Sequence, residues 1–316
     1  MIQQPWLSVI IPTYNGGKYL VAALDSVVLQ QDTEIECVVI DDGSTDNTLE
    51  IIQSYQDKLR IKLITKARQG NWVATTNIAL AAATGEYACF LHQDDLWLQG
   101  RLALIKSAIA LYPQANLYLH DAVFIDQHGK PLGLWRCPFG KRQKIISADT
   151  MRQKLLIQNF IAIPAPIFKR QTALQLGGLN QQLWYTADWD FWLKLASQSP
   201  GNTCYLPKPL AAFRVHPESQ TIRRSSSLGE FRQQMRAVVD NYLDPQLTSE
   251  VAKVAFFSTE VNTSLAAIVH GESPNLIKLA KDFLLLGPFG WRRYWQDSRI
   301  QERVLARLKA KLQTQT

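Results

Sequence analysis

The sequence lacks both a long apolar run and a basic leader. No stretch approaches the ~18 to 20 consecutive apolar residues that a helix needs to cross a bilayer. The segment from Met1 to Pro5 does not have the basic start that is typical of a secretory signal peptide. We therefore expect a cytoplasmic protein.

Closely spaced cysteines are also absent. The chain has four cysteines, and they are far apart in sequence: Cys37, Cys89, Cys137 and Cys204. Zinc sites and thiol-redox sites need a close pair, so neither kind of site is expected. Cys37 and Cys89 lie in runs that are typical of strands, where we expect them to pack in the core.

The chain does contain enough apolar residues for a sizeable core. Hydrophobic residues make up 47% of its 316 positions, which allows one large α/β domain or two smaller ones. The net charge of +7 suits a phosphate-bearing ligand, an anionic membrane surface and nucleic acid equally well. Charge alone therefore does not identify a partner.

Short apolar runs alternate with helical periodicity from Leu7 to about Leu119. The predicted strands are Leu7–Ile11, Ile35–Ile40, Ile61–Ile64, Tyr87–Leu91 and Leu117–Leu119. The predicted helices between them are Lys18–Gln30, Thr48–Tyr55, Trp72–Ala83 and Leu98–Tyr112. This alternation predicts an α/β fold with a mostly parallel sheet that is covered by helices on both faces.

The alternation stops after the fifth predicted strand. Residues 128–147 contain glycine, proline and a basic cluster of Arg136, Lys141, Arg142 and Lys144, and we interpret them as a surface excursion outside the sheet. These charges belong either to an ordinary solvated loop or to a loop that contacts an anionic substrate.

The remaining chain changes from mixed to helical patterning. The patterns predict a helix after residue 148, an apolar segment Phe160–Phe168, a helix near Asp188, a strand Leu210–Val215 and, from about Leu228, helices with a break at Gly287–Gly290. We therefore divide the chain into a sheet domain, residues 1–222, and a helical C-terminal region, residues 223–316.

Polar residues follow three of the predicted strands. They are Pro12-Thr13-Tyr14-Asn15 after the first, Asp41-Asp42 after the second and His92-Gln93-Asp94-Asp95 after the fourth. Open α/β sheets bind ligands at the carboxyl edge of their strands. The first two segments also fit plain turns, in which Asn15 caps a helix and the Asp41-Asp42 pair forms an Asx turn.

Two acid pairs at one sheet edge have an electrostatic cost. They repel each other unless a cation or hydrogen-bond donors lie between them. A divalent metal that holds a diphosphate removes this repulsion, because hard oxygen ligands suit Mg²⁺ or Mn²⁺. The pairs Asp41-Asp42 and Asp94-Asp95 therefore point to a metal and a phosphate-bearing ligand.

Asp188 begins a predicted helix whose apolar residues share one face. The inward face is expected to contain Trp189, Trp192, Leu193 and Ala196. Asp188 is then either a first-turn acid that the helix dipole favours or, beside an acidic metal site, a general base.

Taken together, these segments resemble family 2 glycosyltransferases of the GT-A fold. The matching segments, from about residue 6 to 222, are Ser8–Asn15, Val39–Asp46, Lys66–Asn71, Thr84–Tyr87, Phe90–Asp95, Ala187–Asp188 and Phe213–Pro217. They occur in the family's order and spacing. Each motif is modestly specific, but the ordered set is strongly so.

The resemblance implies a role for each matching residue. The nucleotide lies along Pro12, Thr13, Tyr14 and Asn15, its base is bound by Asp42 or Asp41, and Arg68 approaches the nucleotide or its phosphates. Asp94 closes the family's Asp-x-Asp metal motif with Asp95 next to it, Arg214 and His216 lie over the donor diphosphate, and Asp188 is the catalytic base.

Two residues depart from the family pattern. His92 stands where many members have the opening Asp of the metal motif, and its imidazole can supply a hydrogen bond or a metal ligand. We therefore include His92 with Asp94 and Asp95 as candidate metal ligands. Ala187 replaces a Glu that commonly precedes the catalytic Asp. The loss of this supporting acid changes the electrostatic environment of Asp188 but does not remove the base.

The implied activity is inverting transfer of a sugar from a nucleoside-diphosphate sugar to an acceptor hydroxyl, with Mn²⁺ or Mg²⁺ bound. By class analogy, the acceptor is a surface polysaccharide or a lipid-linked glycan. Nucleic acid is not expected as a partner, and the oligomeric state stays open. A catalytically degenerate sugar-nucleotide sensor is the alternative that His92 and Ala187 allow. A phosphoacceptor signalling module would need an acid pair after the first strand, where this chain has Pro12-Thr13.

The C-terminal tail is basic and amphipathic. Residues 273–316 contain nine Lys or Arg against three Asp or Glu. The last helix has an apolar stripe of Ile300, Val304, Leu308 and Leu312. It packs on the sheet domain or on a partner subunit, or it attaches the protein peripherally to anionic lipid on the inner face of the membrane. In the second case, Trp291, Tyr294 and Trp295 lie at the interface.

Overall fold

A ten-stranded sheet forms the centre of the protein. The structure is a computed structural model that describes residues 4–198, 202–216, 219, 227–244 and 249–313. The strands are β1 Leu7–Thr13, β2 Ile35–Asp41, β3 Ile61–Thr65, β4 Tyr87–Phe90, β5 Leu96–Trp97, β6 Leu117–Ile125, β7 Pro131–Trp135, β8 Lys144–Ile146, β9 Ile167–Lys169 and β10 Thr203–Arg214.

Helices lie between and after these strands. They are α1 Leu20–Val28, α2 Thr48–Ser54, α3 Trp72–Ala82, α4 Arg101–Leu111, α5 Ala148–Ile157, α6 Arg170–Gln175, α7 Ala187–Ala196, α8 Leu228–Tyr242, α9 Ser249–Val269, α10 Leu276–Leu285, α11 Gly287–Ser298 and α12 Ile300–Gln313. None of the helices within the described ranges combines the length and the apolar composition of a membrane span.

The sheet is mixed in direction. Strands β3, β2, β1 and β4 are parallel neighbours, and β6 pairs in parallel with β10. The short β9 joins these two groups by pairing antiparallel with both β4 and β6. Six strands therefore point the same way and end at one edge, while β5, β7, β8 and β9 run against them.

Two hydrophobic cores cover the two faces of the sheet, because successive residues of a strand point to opposite faces. Ile10 and Phe90 pack in the core that α3, α5 and α7 cover. Val9 and Cys89 pack in the other core, which α1, α2 and α4 cover. Strand β2 is buried over its whole length, as a strand between two helical layers must be. The predicted α/β fold with helices on both faces is confirmed.

The interpretation of residues 128–147 as an excursion outside the sheet is wrong. Strand β7 pairs with β6, and β8 pairs with β10. The ring of Trp135 stacks on Phe124 at 4.8 Å, and Leu132 is buried, so apolar packing holds β7 on the sheet. The four residues of the basic cluster are exposed, and Arg136 forms an ion pair with Glu302 at 3.3 Å.

The C-terminal helices share the core of the sheet domain. Met235, Val238 and Val239 of α8 lie in the same buried cluster as α5 and α7. Helix α12 packs on β7, where Ala306 contacts the cluster of Phe124 and Leu132. The helical region therefore completes one side of the molecule. The predicted boundary between residues 222 and 223 lies outside the described residues.

Candidate active site

A cleft of about 320 Å³ opens where the six co-directional strands end. Its walls come from the segments after β1, β2 and β4, from the start of α7, from the end of β10 and from α8 and α12. The predicted site residues that line it are Pro12, Thr13, Tyr14, Asp42, Arg68, His92, Asp94, Asp188 and Arg214. The others, Asn15, Asp41, Asp95 and His216, are not part of this lining.

The carboxylate of Asp42 lies at one end of the cleft and is held by four donors. Lys66 and Arg68 form ion pairs with it, and the backbone N–H groups of Gln69 and Gly70 donate to it at 3.0 and 2.8 Å. Burial on its own would raise the pKa of Asp42, but these hydrogen bonds outweigh burial and hold the pKa below its ordinary value. Asp42 is therefore an ionised acceptor inside the cleft.

Tyr14 and Arg68 form a flat wall next to Asp42. The guanidinium carbon of Arg68 lies 3.4 Å from the centroid of the Tyr14 ring, a cation–π distance. The side-chain amide of Gln93 accepts from the Tyr14 N–H at 2.9 Å and donates to the Tyr14 carbonyl at 3.1 Å. Gln93 therefore joins the end of β1 to the end of β4. The sequence patterns did not identify this role.

Asp41 has a different environment from Asp42. Its carboxylate accepts from the N–H groups of Gly43 and Ser44 at 3.1 and 2.8 Å and from the hydroxyl of Thr13 at 3.3 Å. This is the Asx turn that the sequence left open. Asn15 is used in a similar way, because its side-chain oxygen accepts from the N–H of Thr45 at 2.8 Å. Of the two adjacent acids, only Asp42 faces the cleft.

His92, Asp94 and Asp95 form a compact group after β4. One ligand atom from each lies within 4.8 Å of the others. His92 Nε2 and Asp95 Oδ2 are buried without a hydrogen-bond partner among the described residues. Burial lowers the pKa of His92, against the effect of Asp94, so the imidazole is neutral. Burial and the Asp94 charge raise the pKa of Asp95.

Two residues at the end of β10 hold this group from one side. His216 Nε2 lies 2.9 Å from Asp94 Oδ2. Arg214 donates its backbone N–H to Asp95 at 3.0 Å and its Nε–H to the Asp94 carbonyl at 2.8 Å. The Tyr19 ring packs against both, 4.9 Å from the His216 ring and 4.7 Å from the Arg214 guanidinium. Arg214 and His216 therefore position the carboxylates of Asp94 and Asp95.

The donor atoms of this group fit a divalent cation. Two carboxylates suit Mg²⁺ or Mn²⁺, and a neutral imidazole beside them favours Mn²⁺. The buried atoms of His92 and Asp95 that lack a partner are ligand positions that no described side chain satisfies. The structure therefore supports a metal motif in which His92 takes the place of the opening Asp.

Asp188 lies in the first turn of α7, and a neighbour orients its carboxylate. The side-chain amide of Asn159 donates to its Oδ2 at 2.8 Å. The next residue, Trp189, is buried and donates its indole N–H to the Leu155 carbonyl at 2.7 Å, which fixes the start of the helix. Burial raises the pKa of Asp188 to about 6, although Asn159 and Arg303 act in the opposite direction. Such a carboxylate is ionised at neutral pH and is a stronger base than an exposed Asp.

The cleft next to Asp188 contains residues to which the sequence assigned no role. Trp135 and Phe213 pack edge to face with their ring centroids 5.3 Å apart. Arg303 and Arg307 of α12 also line this end, and the Arg303 guanidinium lies 5.0 Å from the Trp135 ring. These residues are separated by up to 172 positions, so only the packing of α12 on β7 brings them together.

A family model and known proteins match much of this chain. The model of glycosyl transferase family 2 matches residues 8–172, more than half of the chain. An uncharacterized glycosyltransferase of Nostoc sp. (strain PCC 7120) is 45% identical over 128 residues, which cover 40% of this chain and 39% of that protein. The poly(ribitol-phosphate) beta-N-acetylglucosaminyltransferase TarS of Staphylococcus aureus is 31% identical over 182 residues, 57% of this chain and 26% of TarS. These matches span well under two thirds of either relative.

Solved structures share the fold over nearly the whole chain. S. aureus TarS 1–349 in complex with UDP-GlcNAc aligns with a TM-score of 0.62 and 19% identity, and the alignment covers 92% of both chains. The mannosyltransferase PcManGT of Pyrobaculum calidifontis in complex with GDP-Man and Mn²⁺ aligns with a TM-score of 0.56 and 19% identity, covering 98% of this chain and 88% of that chain. At these identities, the likeness establishes the GT-A fold.

Proposed function

This chain belongs to glycosyl transferase family 2, and from that premise we propose that it transfers a sugar from a nucleoside-diphosphate sugar to an acceptor hydroxyl, with inversion at the anomeric carbon. One observation carries the proposal. A single cleft contains the ionised Asp42, the His92 and Asp94 end of the metal motif, and Asp188 with its raised pKa. The same cleft therefore combines an acid to bind the nucleotide base, a site for the diphosphate and a general base.

The nucleotide end of the cleft is at Asp42. Uracil and guanine each have a ring N–H, and a carboxylate is a complementary acceptor for it. Asp42 supplies this carboxylate, and the N–H groups of Gln69 and Gly70 donate to it and hold it in place. The UDP-GlcNAc and GDP-Man in the structural relatives support this class of donor.

The metal end of the cleft is at the His92, Asp94 and Asp95 group. These residues would hold Mn²⁺ or Mg²⁺, while Arg214 and His216 keep the two carboxylates in place. A bound ion of this kind neutralises negative charge on a diphosphate leaving group. The Mn²⁺ in the mannosyltransferase complex supports this assignment.

Asp188 is the proposed general base. It takes the proton of the acceptor hydroxyl while that oxygen forms its bond to the anomeric carbon and the bond to the nucleoside diphosphate breaks. Its raised pKa strengthens the base, and Asn159 holds the carboxylate in one orientation. General-base catalysis typically contributes ~10² to 10⁴-fold.

We further propose a surface polysaccharide or lipid-linked glycan as acceptor, with the enzyme attached to an anionic bilayer. Ile277, Leu285 and Phe289 of α10 and α11 are 73%, 79% and 79% exposed, and Lys281 and Arg292 are exposed on the same two helices. Exposed apolar residues beside basic ones are typical of a surface that binds anionic lipid.

This surface differs from the predicted one. Tyr294 is buried, and the ring of Trp291 stacks on Phe283 at 5.4 Å. Among the three predicted interfacial aromatic residues, Trp295 alone is exposed. The variant Leu285→Glu/Phe289→Glu should lose flotation with phosphatidylglycerol vesicles, and unchanged flotation would rule this surface out.

Turnover with a donor panel tests the proposed activity. Purified protein is incubated with UDP-, GDP- and dTDP-sugars, with and without Mn²⁺, and release of the nucleoside diphosphate is measured beside binding. We expect release from at least one donor, and we expect the rate to depend on the metal. Donor binding without release from any donor would instead identify a sugar-nucleotide sensor.

A further inference from the structure

Two arginines from the C-terminal helix lie in the cleft next to the proposed base. Arg303 and Arg307 are four residues apart on α12, so they share a face of that helix, and both line the cleft. Packing of Ala306 against Phe124 and Leu132 holds the helix in this position. The basic helix that the sequence associated with lipid therefore directs two of its charges towards the active site.

Neither arginine has a carboxylate partner. Arg303 donates to the backbone carbonyl of Asn159 and lies over the Trp135 ring. The nearby acid Glu302 is paired with Arg136 and Arg299. Within the described ranges, no Asp or Glu lies at ion-pairing distance from Arg303 or Arg307.

The charge of Asp188 acts on Arg303, but the two neighbouring arginines still repel each other, and an anion between them would relieve the repulsion. Burial, together with the charge of Arg307, lowers the pKa of Arg303. A guanidinium has five N–H donors. The carbonyl of Asn159 uses only part of this capacity on Arg303, so the pair has donors left for the oxygens of an anion.

The surroundings suit a polyol or sugar attached to that anion. Trp135 and Phe213 add aromatic side chains to the lining of the cleft, and the indole N–H of Trp135 is buried without a partner among the described residues. Gln158 and Asn262 add polar side chains to the same cleft. Carbohydrate C–H groups pack on aromatic faces while their hydroxyls bond to amides.

We propose that Arg303 and Arg307 form an anion subsite that binds a phosphate group of the acceptor, close to the hydroxyl that Asp188 deprotonates. This rests on the proposed function and specifies its acceptor as phosphorylated. The subsite belongs to the acceptor because Arg303 contacts Asn159, the residue that holds Asp188. The donor diphosphate is assigned instead to the group around Asp94.

Paired probes that differ only in phosphate test the subsite by binding, without requiring turnover. With saturating UDP or GDP, tryptophan fluorescence is titrated with glucose 1-phosphate against methyl glucoside, and with farnesyl diphosphate against farnesol. We expect the phosphorylated member of at least one pair to bind at least about tenfold more tightly to the wild type. The first pair represents a soluble phosphorylated glycan, and the second a lipid-linked diphosphate.

The matched variants are Arg307→Gln and Arg142→Gln. Arg307 is exposed at the mouth of the cleft, so its replacement should not disturb folding, and it should abolish the preference for phosphate. Arg142 is exposed and outside the cleft, and its variant should retain the preference. Equal binding of both members of both pairs by the wild type, or a full preference in Arg307→Gln, would overturn the subsite.

Donor affinity and donor turnover distinguish failure of the acceptor subsite from failure of the proposed function. If Arg307→Gln weakens UDP and GDP binding instead, the arginines belong to the donor site and the acceptor subsite is wrong. If the wild type keeps the phosphate preference but turns over no donor, the proposed transferase function fails while the subsite stands.

Discussion

Replacing Asp188 with Asn should remove activity and stabilise the protein at the same time. Burial raises the pKa of Asp188 from 3.8 to about 6, so ionisation above that pH costs the folded state free energy. Each pKa unit corresponds to roughly 1.4 kcal/mol. The shift therefore implies up to about 3 kcal/mol of destabilisation at pH 8, which the neutral amide of Asp188→Asn would avoid.

Because the pKa of Asp188 is raised in the folded state, the stability advantage of Asp188→Asn should increase with pH. At pH values below 3.8 the carboxyl is neutral in both the folded and the unfolded state, so it contributes no difference. Between that pH and about 6 the unfolded state ionises first, and the folded state loses stability as the pH rises. The advantage of Asp188→Asn should therefore be near zero at pH 4 and largest at pH 8.

Urea unfolding at pH 4, 6 and 8 measures this effect, and a transfer assay is run on the same preparations. The matched control is Asp149→Asn, which changes an exposed acid in the first turn of α5 and should alter stability little at any of these pH values. Transfer by Asp188→Asn should fall by ~10² to 10⁴-fold, with donor binding unchanged. A less stable variant at pH 8, or one with full transfer activity, would refute the assignment of Asp188 as a base with a raised pKa.

Three further predictions concern the wild-type profile and the donor site. The kcat of the wild type should rise with pH through about 6 and then level off, because Asp188 must be ionised to accept a proton; a flat profile from pH 5 to 8 would contradict this. Asp42→Ala should weaken UDP or GDP binding by calorimetry, because it removes the carboxylate between Lys66 and Arg68; unchanged affinity would exclude Asp42 as the nucleotide reader. Asp94→Ala should abolish the gain in donor affinity that Mn²⁺ provides, and a preserved Mn²⁺ effect would place the metal elsewhere.

The sequence predicted the strands that end at the cleft because their signal is local. Buried β-branched runs such as Val38-Val39-Ile40 favour a strand, and the bounds of β2 agree with the prediction to within one residue. Strand β10 was predicted only from Leu210, yet it begins at Thr203. Pro207 and Pro209 interrupt the strand pattern, and the structure accommodates them with register shifts around Pro209.

The candidate site residues also divide into those with a local sequence signal and those that depend on long-range contacts. Asp42, Asp94 and Asp188 stand near the ends or starts of regular elements, so local patterns and the family resemblance predicted them as candidates. Asn159 and Arg303 are defined by contacts across 29 and 144 positions of the chain. The first contact depends on how α5 packs against α7, and the second on how α12 packs on β7. No local pattern contains either.

Side-chain direction also distinguished residues that the sequence treated alike. The adjacent Asp41 and Asp42 have the same side chain, but Asp41 points into the turn of Gly43 and Ser44, whereas Asp42 points into the cleft. Side chains of adjacent residues at a strand end leave the backbone in opposite directions. Which of the two faces the ligand follows from the sheet face that α3 covers, a tertiary property.

The configuration of the new glycosidic bond tests the central claim most directly. Proton NMR of the wild-type reaction, with a donor that it turns over, reports the anomeric configuration of the first product. Direct displacement with Asp188 as base should give the configuration opposite to that of the donor, and Asp188→Asn should form no product on the same time scale. A product with the donor's own configuration would contradict the mechanism.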